Sequence, residues 1–548
     1  MPHTNTTEMK KTTNKLSNAV IGLLHDKTAQ IVFTVTFLSG LCAHLYRWTN
    51  PMFSHDSSQV VSDDQYYMIA YGRFLQIPLS KMRGYINSPL LLGILGTLYL
   101  TFAIICICKI LRIKSLLLTG CISGILSTCS VMTLVNATYM NYYDLMMLAL
   151  LCSCLAAKYI CDNSEFTDLL SASVFIVLSM GLYQAYLPVT VALVVGRLLA
   201  DTLKKINYRL VIKRGIFAIL TIFISATIFY AIAEVIIKVV IGKQLKAYNS
   251  MSNASLSFKS VKTAYIAPFA YLLDPETHAS MLIGVINITL GLLCVAAILL
   301  TVHRNALSIV NIFLSCFLIL ILPLAMNCIG AISGFEHGLM IFSFFLFYPI
   351  SFMLLELIPK TGIRQSSVLS PGTGTISIIQ PLLTTILSIV LIFCNIVYSN
   401  QVYVAKGLQE QGTLSIMTRV VSDMESTKGY QAGKTPVVII GSLDENHAFP
   451  NLHKQFVKQP RSQRYAGLYG TGLESNWSVT YPLTYQRYFT YVMGYPVKLV
   501  QDKKMLKTAR FREAADHLDS FPSPKCTKMV DSYLIVKLSD NKGAHSSQ

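Results

Sequence analysis

Between residues 29 and 400 this sequence presents one apolar run after another, each close to the ~20 residues that a helix needs to cross a bilayer. The composition agrees, with 53% of residues apolar and only 13% charged. The fold class that follows is an all-α polytopic membrane protein. Eleven spans are expected, near 29–46, 88–108, 115–135, 143–160, 169–182, 187–203, 215–238, 280–302, 306–327, 338–358 and 378–400. The stretch from Leu169 to Ala200 could form one long tilted helix. However, Tyr183-Gln184-Ala185-Tyr186-Leu187-Pro188 carries the aromatic, polar and Pro signature of a tight turn at the interface.

Short loops rich in Lys and Arg stay on the cytoplasmic side. Lys10, Lys11, Lys15 and Lys27 precede the first span, Lys109, Arg112 and Lys114 follow the second, and Lys204, Lys205, Arg209, Lys213 and Arg214 follow the sixth. His303-Arg304 and Lys360 with Arg364 come later. With eleven spans these all fall on one face, so residues 1–28 are expected in the cytoplasm, and the 47–87 loop and the segment 401–548 outside. The loop 239–279 departs from the pattern with Lys243, Lys246, Lys259 and Lys262, as longer loops do. The first 28 residues are polar, and no cleavable signal peptide is expected.

The net charge of +18 is spread over these loops. It reads as topology and attraction to anionic headgroups, and with no recognition motif beside it nucleic acid is not an expected partner. Of thirteen cysteines, those from Cys42 to Cys394 lie in or beside apolar spans, and only Cys526 lies in the tail. The tail must therefore fold without an internal disulfide. No C-x-x-C pair or His/Cys cluster at zinc spacing occurs.

The segment 401–548 has a different composition. Gln401 to Val421 has helical periodicity, Pro436 to Ile440 followed by Gly441 reads as a buried strand and turn, and Ser532 to Leu538 reads as a closing strand. A small α/β domain is expected, long enough to bury its own core. Its aromatics Tyr465, Tyr469, Trp477, Tyr481, Tyr485, Tyr488 and Tyr491 could stack on sugar rings, although core packing or interface contact is the plainer account.

In a chain so poor in charge, the 47–87 loop stands out. It carries Ser54-His55-Asp56-Ser57 and then Asp63-Asp64, and it is longer than a connection needs to be. From Asp63 to Leu75 a helix lying in the interface would put Tyr67, Tyr71 and Leu75 on one face and leave Asp63, Asp64 and Arg73 to water. A solvated helix without chemical duty is the alternative. Asp144 opens the fourth span on the same side, where it could serve chemistry or simply cap a helix dipole. Glu234 and Lys238 read as an i,i+4 ion pair, and Glu336-His337 is a weaker candidate in a short external turn. No phosphate-cradling glycine motif is present. Group transfer on the outer face needs a donor already activated and already in the membrane, and a sugar on a lipid phosphate is both. One carboxylate would take the acceptor hydroxyl's proton, and Arg or Lys would hold the departing phosphate.

The motifs SHDSS at 54–58, GRF at 72–74, SPLL at 88–91, YMNYYD at 139–144, GLYQAYLP at 181–188 and DSYLIVKLS at 531–539 together resemble the O-antigen serotype-converting glucosyltransferases of the GT-C superfamily. The resemblance implies a GT-C fold in a bacterial inner membrane, with a periplasmic active site. It implies undecaprenyl-phosphate glucose as donor, a lipid-linked O-antigen as acceptor, and no metal or other cofactor. Functional partners would be a bactoprenol glucosyltransferase that charges the lipid and a small flippase. Carried onto this sequence, it makes Asp56 the leading general base, with Asp63 or Asp64 as rivals, and Asp144 the second acid. Arg73 is then the leading phosphate contact, with Lys81 and Arg83 behind it, while His55, Tyr183 and Gln184 would line the site. The rival readings are a flippase for lipid-linked sugars, for which internal repeats are missing, and another O-antigen-modifying enzyme such as an acyltransferase, for which His44 alone is too little.

Overall fold

A backbone that enters an apolar layer must satisfy its own polar groups, and a helix does so within one segment. The computed structural model describes residues 22, 24–54, 62–162, 165–242, 257–273, 280–334, 336–358, 371–441, 443, 446, 448–449, 482–500 and 508–540; at 62–66, 371–378 and 482–483 it describes the backbone alone. In order these form α1 (Lys27–Thr49), a 3-10 helix (Ser62–Tyr71), α2 (Gln76–Met82), α3 (Pro89–Leu111), α4 (Leu116–Thr128), α5 (Ser130–Thr138) and α6 (Tyr143–Cys161). There follow α7 (Phe166–Tyr183), α8 (Leu187–Leu203), α9 (Tyr208–Ile241), α10 (Phe258–Leu273), α11 (Met281–Asn305), α12 (Ile309–Met326), α13 (Cys328–Ser333), α14 (Phe347–Glu356) and α15 (Pro371–Ser426). Among the described residues, ten stretches are long and apolar enough to cross a membrane. The chain is a multi-pass helical membrane protein.

One of the ten, Phe166–Leu203, is two helices joined by a 3-10 turn at Gln184–Tyr186. Helices α3 and α6 run side by side in the same direction, with Gly96 against the Tyr143 ring, and α7 begins just after α6 ends. Ser153, midway along α6, bonds Ser179 near the end of α7 (2.8 Å) and the Tyr186 carbonyl (3.0 Å). Thr190 near the start of α8 donates to the Ser153 carbonyl (2.9 Å). Farther along α8, Arg197 donates to the Ile110 carbonyl at the end of α3 (2.9 Å). The arms therefore run in opposite directions, so the reversal read from the sequence is present, but it lies level with the middle of α6 rather than at an interface, and the pair counts as one of the ten stretches.

Helix ends sort onto two faces. On one, Asp26 pairs with Lys109 (3.0 Å), Glu356 accepts from the Lys114 and Ser115 backbone N–H groups (2.9 and 2.6 Å), and Asp201 lies between Arg197 (3.0 Å) and Arg214 (2.8 Å). The loops rich in Lys and Arg gather there. The opposite face carries the segment before α3, the start of α6 and the connection from α12 to α14.

Helices α9, α11 and α12 turn Ile219, Phe223, Val239, Leu292 and Phe313 outward, as lipid permits. Lipid gives helices no hydrophobic reason to associate, so close packing around small residues must hold them. A Cβ on Gly93 would lie 2.4 Å from the Trp48 ring, and one on Gly96 2.5 Å from the Tyr143 ring. Trp48 in turn donates its indole N–H to Asn136 Oδ1 (2.7 Å).

The C-terminal unit adds β1 (Pro436–Ile440), α16 (Pro482–Arg487), a π-helix (Tyr488–Val492), β2 (Lys498–Leu499), α17 (Ala509–Asp516), β3 (Thr527–Val530) and β4 (Tyr533–Lys537). The sheet order is β2-β1-β4-β3, with β1 parallel to β2 and β4, and β3 antiparallel to β4. Val437 and Ile439 face Met417, Val420 and Met424 of α15, while Val438 and Ile440 face Phe511 and Leu518. Burial on both faces explains why β1 reads as an unbroken apolar run. Gly441 ends it at φ +74°, where a Cβ would lie 2.5 Å from the Ser539 carbonyl oxygen.

Three expectations are revised. Residues 62–71 are a 3-10 helix, in which i and i+3 eclipse; Met68, Ile69 and Ala70 are buried and Tyr67 is exposed, so the face of Tyr67, Tyr71 and Leu75 does not form. Among the described residues Glu234 and Lys238 form no ion pair, and Lys238 is exposed on α9. The boundary expected at 400/401 falls inside α15, which carries the chain from the last span into the C-terminal unit without a break.

All thirteen cysteines are free, and Cys526 is fully buried beside Asp423, its thiol pushed up to about 12 mainly by burial. Cys526 should stay unlabelled by a maleimide in folded protein near neutral pH and label after denaturation; labelling of the folded protein would show that the sheet unit opens. Gly93→Val should lower stability by about 1–3 kcal/mol through overpacking, seen as a lower thermal midpoint in detergent.

Candidate active site

The turn between α7 and α8 lies level with Ser153, below the start of α6, where unwound backbone must find partners. The 62–87 segment supplies them. Leu75 N–H donates to the Gly181 carbonyl (3.1 Å), and Gln76 Nε2 donates to the Leu182 carbonyl (2.7 Å). In return Gln184 Nε2 donates to the Tyr71 carbonyl (2.7 Å). Glycine at 181 permits this approach, since a Cβ there would meet Phe74 at 2.9 Å and Leu75 at 3.1 Å. Gly72, at φ +77°, ends the 3-10 helix and turns the chain toward α2. The motifs at 72–74 and 181–188, far apart in sequence, are thus one hydrogen-bonded structure.

On this platform lie the cations. The Arg73 guanidinium rests on the Tyr183 ring, 4.6 Å from its centroid, and Tyr183 is buried edge-on to Tyr186 (5.7 Å). Lys81 is exposed on α2. Arg83 caps the end of α2 and pairs with Asp144 in the first turn of α6, with side chains 7% and 4% exposed. Arg83 also donates to the Asn141 carbonyl (3.2 Å). Burial lowers the Arg83 pKa from its ordinary value, and the Asp144 carboxylate pulls the other way. Asp144 and Arg83, expected from the sequence as an acid and a phosphate contact in their own right, are therefore one ion pair. An acid so held neutralises its partner and fixes its direction.

Of the other expected residues, His55 and Asp56 lie outside the described residues. Asp63 and Asp64 fall in the 3-10 helix, where only the backbone is described. The 3-10 turn Met140–Tyr142 leads into Asp144, and Tyr142 bonds Tyr67 hydroxyl to hydroxyl (3.4 Å). Among the described residues, no group of three or more His, Cys, Asp or Glu is placed to hold a metal ion.

Sequence reasoning placed Glu336-His337 low, yet His337 Nε2 lies 3.2 Å from the Tyr139 hydroxyl, and its Nδ1 accepts from Leu339 N–H (3.2 Å). Glu336 accepts from Asn327 (2.7 Å), and burial raises its pKa from the ordinary value. This connection therefore reaches the same turn as Arg83; the signal available in advance was two ionisable residues in one short loop. His44 is a satisfied core histidine, bonded to Tyr403 (2.7 Å) and the Ser127 carbonyl (2.9 Å).

Removing one partner of a buried pair costs about 3–5 kcal/mol, because the other charge is left unpaired. Arg83→Ala and Asp144→Ala should each destabilise the protein on that scale, and the double variant by less than their sum, as measured by thermal unfolding in detergent. Additive losses would mean that the pair does not form. A model of the family described as Glucosyl transferase GtrII matches residues 45–356, more than half of the chain and all of the site just described. No curated protein and no solved structure matches.

Proposed function

The chain belongs to the Glucosyl transferase GtrII family, and from that premise we propose that it moves a glucosyl group from undecaprenyl-phosphate glucose to the repeat units of a lipid-linked O-antigen, altering serotype. The membrane is a bacterial inner membrane, with the N-terminus cytoplasmic and the site and C-terminal unit periplasmic. What supports the reading is the Arg73 guanidinium held on the Tyr183 ring, with Lys81 exposed on α2 and the Arg83–Asp144 pair fixing the adjoining turn, at one face of a lipid-embedded glucosyltransferase. A lipid-borne donor diffuses to such a face within the bilayer, and its phosphate meets fixed cations there.

In the reaction, the acceptor hydroxyl oxygen bonds the anomeric carbon as the bond from that carbon to the phosphate oxygen breaks. The hydroxyl proton passes to Asp56, the base in this reading, with Asp63 and Asp64 as rivals. The lipid phosphate leaves with the bonding pair, its charge met by Arg73 and, from the exposed side of α2, Lys81. Asp144 serves by holding Arg83, since a carboxylate committed to a guanidinium is a poor base. His55 and Gln184 flank the sugar. The donor would be charged by a bactoprenol glucosyltransferase and turned over by a small flippase.

The test is expression in a cell supplied with the donor and an O-antigen acceptor, followed by mass spectrometry of the polysaccharide. One hexose gained per repeat is expected. Asp56→Asn should lower transfer by about 10²- to 10⁴-fold while protein stays in the membrane; normal modification by that variant would remove Asp56 from the mechanism. No gain with confirmed insertion and donor would overturn the transfer itself.

A further inference from the structure

Phe53 belongs to two structures at once. It follows α1 by four residues and opens the first loop, yet it is only 6% exposed and sits in the core of the C-terminal unit. There it meets Tyr488 edge-on at 4.9 Å, in one cluster with Met417, Val420, Tyr485 and Phe489. Tyr488 opens the π-helix, a rare conformation that is frequent at functional sites.

The residues on either side of Phe53 are pinned to the membrane part. Arg47, buried, donates to the Asn136 carbonyl (2.9 Å), the Asn50 carbonyl (2.9 Å) and the Met52 carbonyl (3.3 Å). Ser54 Oγ then donates to the Thr138 carbonyl (2.7 Å), the last residue of α5. Thr138 leads directly into Tyr139 and the Met140–Tyr142 turn, whose Asn141 carbonyl and following Asp144 hold Arg83. A continuous path of bonded contacts thus runs from the sheet unit through Phe53, Ser54 and Thr138 to the ion pair.

A purely structural plug would need no such path, because the C-terminal unit already has a core on both faces of its sheet. We infer that Phe53 is a positioning residue: seated in the C-terminal unit, it ties that unit to the turn at 140–142 and so sets the Arg83–Asp144 pair. The C-terminal unit is then a working part of the site. The activity arm of the test rests on the glucosyl-transfer reading; the exchange arm does not.

The test is hydrogen exchange and kinetics on the full chain in lipid nanodiscs, for Phe53→Ala and Phe53→Leu. In Phe53→Ala, exchange at 138–144 should rise about tenfold while the strands at 436–440 and 533–537 stay protected. Its kcat should fall about 10- to 100-fold, with donor KM changed less than about threefold, as expected when reacting groups are misplaced rather than unbound. Phe53→Leu, still large and apolar, should restore most of both. Unchanged exchange at 138–144 would overturn the inference whatever the activity. If Phe53→Ala unprotects the strands, Ser54→Ala decides by the same criteria, since it breaks the bond to Thr138 and leaves the sheet core intact. If the wild type transfers no hexose, the glucosyl-transfer reading fails and the exchange pattern alone decides the coupling.

Discussion

A backbone carbonyl at membrane depth with no donor costs several kcal/mol, roughly the scale of a domain's net stability. The break between α7 and α8 exposes such groups, and the rest of the site follows from how they are satisfied. Leu75 N–H and the Gln76 side chain cover the carbonyls of Gly181 and Leu182, and Gln184 returns a bond to Tyr71. The first loop is therefore held in place as the cover that makes the break tolerable. Because it cannot leave without stripping those partners, the cations it carries are held in place at no further cost.

Charge is the second constraint. Among so many apolar side chains, an unpaired buried arginine would be expensive, and four arginines here are held in different ways. Arg83 finds Asp144 and the Asn141 carbonyl, Arg73 finds the face of Tyr183, and Arg47 finds three backbone carbonyls. Arg197 shares Asp201 with Arg214 at the opposite face. Each arrangement fixes a register between helices that apolar packing alone would leave free to slide, because Leu against Leu in lipid carries little directional information. The Gly93 and Gly96 contacts supply the rest of that register, with Trp48 and Tyr143 seated where any side chain would collide.

Much of the architecture was legible because it rests on one-dimensional signals. Apolar run length gave the spans, the Tyr183–Pro188 signature gave the reversal, and the apolar strings at Pro436–Ile440 and Ser532–Leu538 gave the two central strands. The edge strands β2 and β3 were not read, being too short or too polar to stand out. The 3-10 geometry of 62–71 was hidden because its period is decided by what it packs on. The length of α15 was hidden because a helix leaving a membrane changes composition without changing conformation.

At the site, the sequence by itself determined which residues were available: acids and cations at the ends of apolar spans, in an order that resembles a glucosyltransferase family. Tertiary structure alone decided their pairing. That Arg83 belongs to Asp144, that Gly181 must accept Leu75, and that Phe53 enters the core of a unit hundreds of residues later are facts of distance between segments remote in sequence. Local propensity and periodicity extend over a few turns of chain, whereas those contacts exist only once the helices have packed.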